Sequence, residues 1–209
     1  MKTRFICMTL TLALMMASVG TAATIKAKKK AKVAKKAIVY VDYSKPGTSG
    51  GAYGDDTKGC GGTFEVKGGK GVFSVNECKD GWGGGVTLNK IPEMAFNAAG
   101  ATTLTLKVKV PKGVKFNLNI NENGCGPKEQ ASFAGEGGAD GEQFNSPEMT
   151  GTGKMKEYTV KLADFKLSEG YGNPNGNKQA DLGGVQSIQL YVLPGQAAAT
   201  IEVAKVSLK

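Results

Sequence analysis

Apolar and polar residues alternate in short runs along most of this chain, with a period of two. In TTLTLKVKV, Leu104, Leu106, Val108 and Val110 fall on one side, and Thr103, Thr105, Lys107 and Lys109 on the other. VKFNLNIN repeats the pattern, with Val114, Phe116, Leu118 and Ile120 opposite Lys115, Asn117, Asn119 and Asn121. Tyr158, Val160 and Leu162 alternate with Thr159 and Lys161, and Ile188, Leu190 and Val192 alternate with Ser187, Gln189 and Tyr191. Successive side chains of an extended strand point to opposite faces, so each run predicts a half-buried β-strand. Ala37–Tyr43, Val86-Thr87-Leu88, Gln143-Phe144-Asn145 and Ala199–Leu208 predict further strands between Gly-, Pro- and Asn-rich turns. Roughly nine or ten strands, with one helical turn at Asp164-Phe165-Lys166, predict an all-β fold: an antiparallel two-sheet β-sandwich, in form a jelly roll.

Thr63–Lys67 and Gly71–Asn76 predict a hairpin. With Gly68-Gly69-Lys70 as its loop, Cys60 falls opposite Cys78, which predicts a disulfide between them and leaves Cys125 free. Tyr40 and Tyr158 sit at apolar positions of their strands and are assigned to the core.

The outward faces of two strands break the usual rule for a solvated sheet. Asn is depleted in strands, yet Asn117, Asn119 and Asn121 form a row, and Gln189 and Tyr191 repeat the theme on a later strand. An amide offers both a donor and an acceptor, and an aromatic ring offers a flat apolar face. Together they suit a sugar chain, which presents equatorial hydroxyls and flat ring faces. Tyr53, Trp82, Tyr171 and Tyr191 are candidate platforms; Asn117, Asn119, Asn121, Glu122 and Gln189 are candidate polar contacts. Trp82, the only tryptophan, lies in the cluster Gly81-Trp82-Gly83-Gly84-Gly85, where it either plugs the end of the core or serves as a platform. Tyr171 lies in SEGYGNPNGN, read as a loop, where it either packs down or stays available.

Composition sharpens this picture at the start of the chain. Lys2 and Arg4 precede an apolar run, Phe5 to Met16, which exits through small residues to Ala22 and Ala23. This predicts a secretory signal peptide over residues 1–23 and an exported protein without a membrane span after cleavage; the run is too short to cross a bilayer. Residues 24–36 form a Lys/Ala-rich flexible segment, either a solvated spacer or a loose contact with an anionic cell surface. Nine of the 27 basic residues lie before Ala37, leaving 18 against 18 acidic residues in the predicted single domain, 37–209. A neutral domain without arginine is a poor nucleic-acid partner. The chain has no His, and Arg4 is its only Arg. That excludes Ser-His-Asp and Cys-His catalysis, the usual zinc sites and arginine clamps on phosphate.

The order IVYVDY, FNLNINENG, DGEQF, GTGKMKEYTVKLADF, DLGGVQSIQLYV and ATIEVAKVSL resembles the strands of galactose-binding-like jelly-roll carbohydrate-binding modules, like those attached to bacterial cellulases and β-glucanases. The resemblance spans most of Ala37 to Lys209. It implies non-catalytic binding of β-glucan or related plant-type polysaccharide in a groove across one sheet. It also implies a structural calcium between first and last strands. Here Ala204-Lys205 replace an Asp common in the group, leaving Asp42 and Glu202 as candidate ligands. The group commonly carries an aromatic residue where this chain has Met155. Two other readings compete: a structural cell-surface or matrix assembly subunit, and a glycoside hydrolase using two of Glu122, Glu129, Glu136 and Glu142.

Overall fold

The computed structural model describes residues 36–89, 96–127 and 139–209. The predicted signal peptide, all but the last residue of the Lys/Ala-rich segment, Glu129 and Glu136 lie outside the described residues. Among the described residues thirteen strands, β1 to β13 in chain order, form two sheets in which every pairing is antiparallel. Among the described residues there are only single 3-10 turns besides, and no helix is long and apolar enough to cross a membrane. The turn predicted at Asp164-Phe165-Lys166 forms slightly earlier, at Leu162–Asp164, because Lys166 already starts a strand.

One sheet contains β1 (Ile38–Asp42), β3 (Gly62–Lys67), β4 (Lys70–Val75), β6 (Thr103–Lys109), β10 (Met155–Lys161) and β13 (Ala199–Leu208). Its order is β10-β6-β13-β4-β3, with β1 also paired to β13. The other contains β2 (Gly50–Gly54), β5 (Gly84–Leu88), β7 (Lys115–Glu122), β8 (Glu142–Asn145), β9 (Met149–Thr150), β11 (Lys166–Gly172) and β12 (Val185–Val192). Its order is β11-β8-β7-β12-β5-β2, with β9 also paired to β7.

The apolar stripes read from the alternation meet between the sheets. Leu104, Leu106 and Val108 of β6 and Phe116, Leu118 and Ile120 of β7 are fully buried, as are Ile188 and Leu190 of β12. Each such side chain contributes about 1.5–3 kcal/mol by leaving water. Phe116 meets Tyr158 edge-on across the sandwich, with ring centroids 5.3 Å apart. Tyr40 is buried, and its hydroxyl ties the sheets together: it accepts from the Ile188 N–H at 3.1 Å and donates to the Asn89 carbonyl at 3.2 Å. Along β13 the buried positions are Ile201, Val203, Val206 and Leu208, because a register shift between Val203 and Lys205 changes the parity of the alternation.

The hairpin β3–β4 closes one residue tighter than predicted. Lys67 pairs with Lys70, so Gly68 and Gly69 alone make the turn, with φ of 58° and 73°. Positive φ at both central residues is the demand of the two-residue turn that matches strand twist, and glycine meets it without strain. The Cys60–Cys78 disulfide still forms, with Cα atoms 4.8 Å apart, since both residues lie just beyond the ladder. Cys125 is free.

Candidate functional site

The seven-stranded sheet turns its polar residues outward into a groove of about 780 Å³. Its floor follows from register. Asn145 of β8 faces Asn119 of β7, Asn119 faces Gln189 of β12, and Gln189 faces Thr87 of β5. In the neighbouring row Asn117 faces Tyr191, Tyr191 faces Gly85, and Gly85 faces Tyr53. A side chain at Gly85 would meet the Tyr53 hydroxyl at 2.5 Å, and one at Gly83 would meet the Tyr191 hydroxyl at 2.7 Å. The two tyrosines therefore lie over glycines.

Aromatic rings flank this floor. Trp82 stacks on Tyr53, with centroids 6.2 Å apart and planes 18° from parallel, and is 51% exposed. Of the two readings of Trp82, the structure fits the one that leaves its ring on the surface. At β11, Ser168, Gly170 and Tyr171 line the groove. Tyr171 belongs to an edge strand and not to the loop that its Gly/Asn-rich surroundings predicted, because β11 pairs with β8 through an irregular register.

The hydrogen bonds fix part of the floor and leave part open. Tyr53 Oη donates to Gln189 Oε1 at 3.0 Å, and Gln189 Nε2 donates to Thr87 Oγ1 at 3.4 Å. Gln143 Nε2 donates to Asn121 Oδ1 at 2.8 Å. The Oδ1 atoms of Asn117, Asn119 and Asn145 are buried without a protein partner. An amide acceptor left without a protein partner is satisfied by water or by a ligand hydroxyl. Burial raises the pKa of the Tyr53, Tyr171 and Tyr191 phenols, so they stay neutral donors.

Of the residues singled out from sequence, the groove brings together Tyr53, Trp82, Asn117, Asn119, Tyr171, Gln189 and Tyr191. Thr87, Gln143, Asn145, Ser168 and Gly170 join them. Asn145 and Gln143 were readable as the outward positions of a predicted strand, but only the β7–β8 pairing places them beside the Asn row. Asn121 shares the face yet is buried under its bond to Gln143 and does not line the groove.

Glu122 is not a groove residue. It has the parity of Leu118 and Ile120, so it points to the core side and is fully buried. There Oε1 accepts from the Asp181 N–H at 2.7 Å, and Oε2 accepts from the Asp140 and Glu142 N–H groups, both at 3.2 Å. Glu142 is also fully buried, and its carboxylate accepts from the Lys178 N–H. Loss of hydration pushes both carboxyls up to about 7, with the Asp140 and Glu122 charges adding to the rise at Glu142. Oxygens of Glu122, Asp140 and Asp181 lie within 4.8 Å of one another, and Asp140 Oδ1 is buried without a hydrogen-bond partner.

Asp42 and Glu202 do not form the expected cation site. Asp42 accepts from the Ser44 hydroxyl and N–H and faces Lys205, while Glu202 is held between Lys70 and Lys109. These partners hold both carboxyls below the usual range: the Ser44 hydroxyl first for Asp42, the Lys109 ammonium first for Glu202. Met155 starts β10 in the six-stranded sheet, away from the groove strands.

This fold is similar to that of several solved carbohydrate-binding modules. The family 11 module of the cellulosomal cellulase Lic26A-Cel5E of Clostridium thermocellum superposes with a TM-score of 0.61 at 14% identity, over 83% of this chain and 94% of that one. A solution structure of CtCBM11 gives 0.60 at 15% identity, over 85% and 97%. The Clostridium thermocellum family 11 module in complex with a β-1,3-1,4-mixed-linked tetrasaccharide gives 0.55 at 16%, over 76% and 87%. No protein-family model matches the sequence, and no curated protein matches it.

Proposed function

We propose that this chain is a non-catalytic carbohydrate-binding protein that holds a β-glucan or related plant-type polysaccharide across the outer face of the seven-stranded sheet. The observation that carries the reading is the amide floor between aromatic walls, with three buried amide oxygens lacking partners. Hydroxyls of a sugar chain supply donors and acceptors to such amides, and ring faces stack on Trp82 and the tyrosines. The mixed-linkage tetrasaccharide bound by a module of the same fold supports this ligand class. Among the described residues no carboxylate lines the groove, and of the hydrolase candidates Glu122 and Glu142 are buried on the other side of their strands, which favours binding over paired-carboxylate hydrolysis by these two.

The disulfide and the leader read from the sequence support export. The Lys/Ala-rich segment would add loose attachment to an anionic cell surface. Where calcium is bound, its residues are Glu122, Asp140 and Asp181 and not Asp42 and Glu202: the former are hard oxygen donors with an orphaned Asp140 Oδ1, and the latter are taken by lysines.

Affinity electrophoresis in gels containing mixed-linkage β-glucan or xylan tests the reading, with retardation expected in the β-glucan gel. Unretarded migration in every polysaccharide favours the structural assembly subunit. Release of reducing sugar by purified protein would favour the hydrolase.

A further inference from the structure

The described residues lining the groove share one property that the composition does not predict: none carries a charge. The chain as a whole is 22% charged. The outward positions of the six-stranded sheet show where those charges go, with Lys107 facing Glu157 and Lys205, and Lys109 facing Glu202. Charged residues line up on that outer face, whereas the described groove lining consists of amides, hydroxyls, aromatic rings and a glycine; Lys115, on the Asn117 side of β7 and paired with Glu148, does not line it.

We propose that the groove is a charge-excluding site, selective for uncharged polysaccharide and closed to chains of the same backbone that carry carboxylates. The inference rests on the sugar-binding reading above and narrows its ligand. A carboxylate entering the floor row of Asn145, Asn119 and Gln189 would give up hydration and find no ammonium or guanidinium among the described lining residues in return. Amide N–H groups compensate an anion only in part, so the transfer is unfavourable. A neutral hydroxyl loses far less hydration and recovers it fully, since each amide both donates and accepts. The cation next in this row, Lys166, faces Asn145 from the exposed edge strand and does not line the groove.

The test compares three forms of one mixed-linkage β-glucan oligosaccharide by titration calorimetry: native, oxidised at C6 to the uronate, and the methyl ester of that uronate. The uronate should bind at least about tenfold more weakly than the native chain, and the ester should recover most of the loss. Native affinity should change less than about twofold between roughly 0.02 and 0.5 M NaCl, because no ion pair contributes. N145K should gain uronate binding at low salt and lose it at high salt, while K166Q should leave native affinity unchanged. Equal binding of native and uronate chains overturns this inference alone. So does an ester as weak as the acid, since exclusion would then be a matter of size. Failure of all three forms to bind, in a protein of unchanged thermal stability, overturns this inference together with the sugar-binding reading.

Discussion

Trp82 separates binding from folding at the scale of one residue. Half its surface is exposed, and its ring rests on Tyr53 and not in the core. W82A should therefore weaken β-glucan binding by about tenfold, the equivalent of roughly 1.4 kcal/mol, and lower the melting temperature by less than about 3 °C. Calorimetry and a thermal melt on one sample check both halves. Gly85 is the reverse case. A methyl group there meets the Tyr53 hydroxyl at 2.5 Å and the Leu190 carbonyl at 2.6 Å, so G85A must displace either a groove wall or the ladder between β5 and β12. Binding should fall by more than in W82A, with a destabilisation of about 1–3 kcal/mol in urea unfolding. The sequence made Trp82 conspicuous through its glycines, but not the reason for them. The steric need at Gly85 arises from a tyrosine 32 positions earlier, across a pairing that has no local signature.

At the scale of elements, the Cys60–Cys78 bridge closes the β3–β4 hairpin and anchors the start of the segment that carries Trp82. The same segment is held at its far end by the Asp55 N–H bonding the Gly83 carbonyl at 3.1 Å. Replacing both cysteines by Ser frees an 18-residue loop, which should cost about 3 kcal/mol in equilibrium unfolding. A thiol count on the unfolded, unreduced chain from residue 24 should find Cys125 alone; three thiols would refute the bridge. Alternation made most strands legible, with β13 matching its predicted limits, Ala199–Leu208. It failed where the backbone departs from strict period two. The bulge in β13 and the irregular pairing of β11 shift parity without any change in composition. The meeting of β8 with β7 and of β7 with β12 joins segments distant in sequence, so the groove floor could be read only one strand at a time.

For the whole molecule, charged residues line up on the outer face of the six-stranded sheet, the described groove lining of the other sheet is uncharged, and the carboxylates of Glu122 and Glu142 are buried at strand ends of that second sheet. Those carboxylates fix how stability responds to pH. Loss of hydration holds the coupled Glu122 and Glu142 carboxyls above the ordinary carboxylate value of about 4.3, up to about 7, so over that range the native state binds more protons than the unfolded chain. Their contribution is fully present below about pH 4.3 and is lost as pH rises through 7. In chelator, the melting temperature should therefore increase on going from about pH 8 to about pH 5.5, by several degrees, the opposite of ordinary acid destabilisation. Asp42 and Glu202, whose pKa values are lowered, act in the other direction but only below the ordinary carboxylate range, outside this window. E122Q removes one titrating group while keeping the side chain's shape, so it should flatten the profile. Calcium at about pH 8 should supply the missing positive charge and raise the melting temperature, with little effect at pH 5.5, where protons already occupy the cluster. A profile in chelator that climbs steadily toward alkaline pH would show that Glu122 and Glu142 are ionised in the native state throughout.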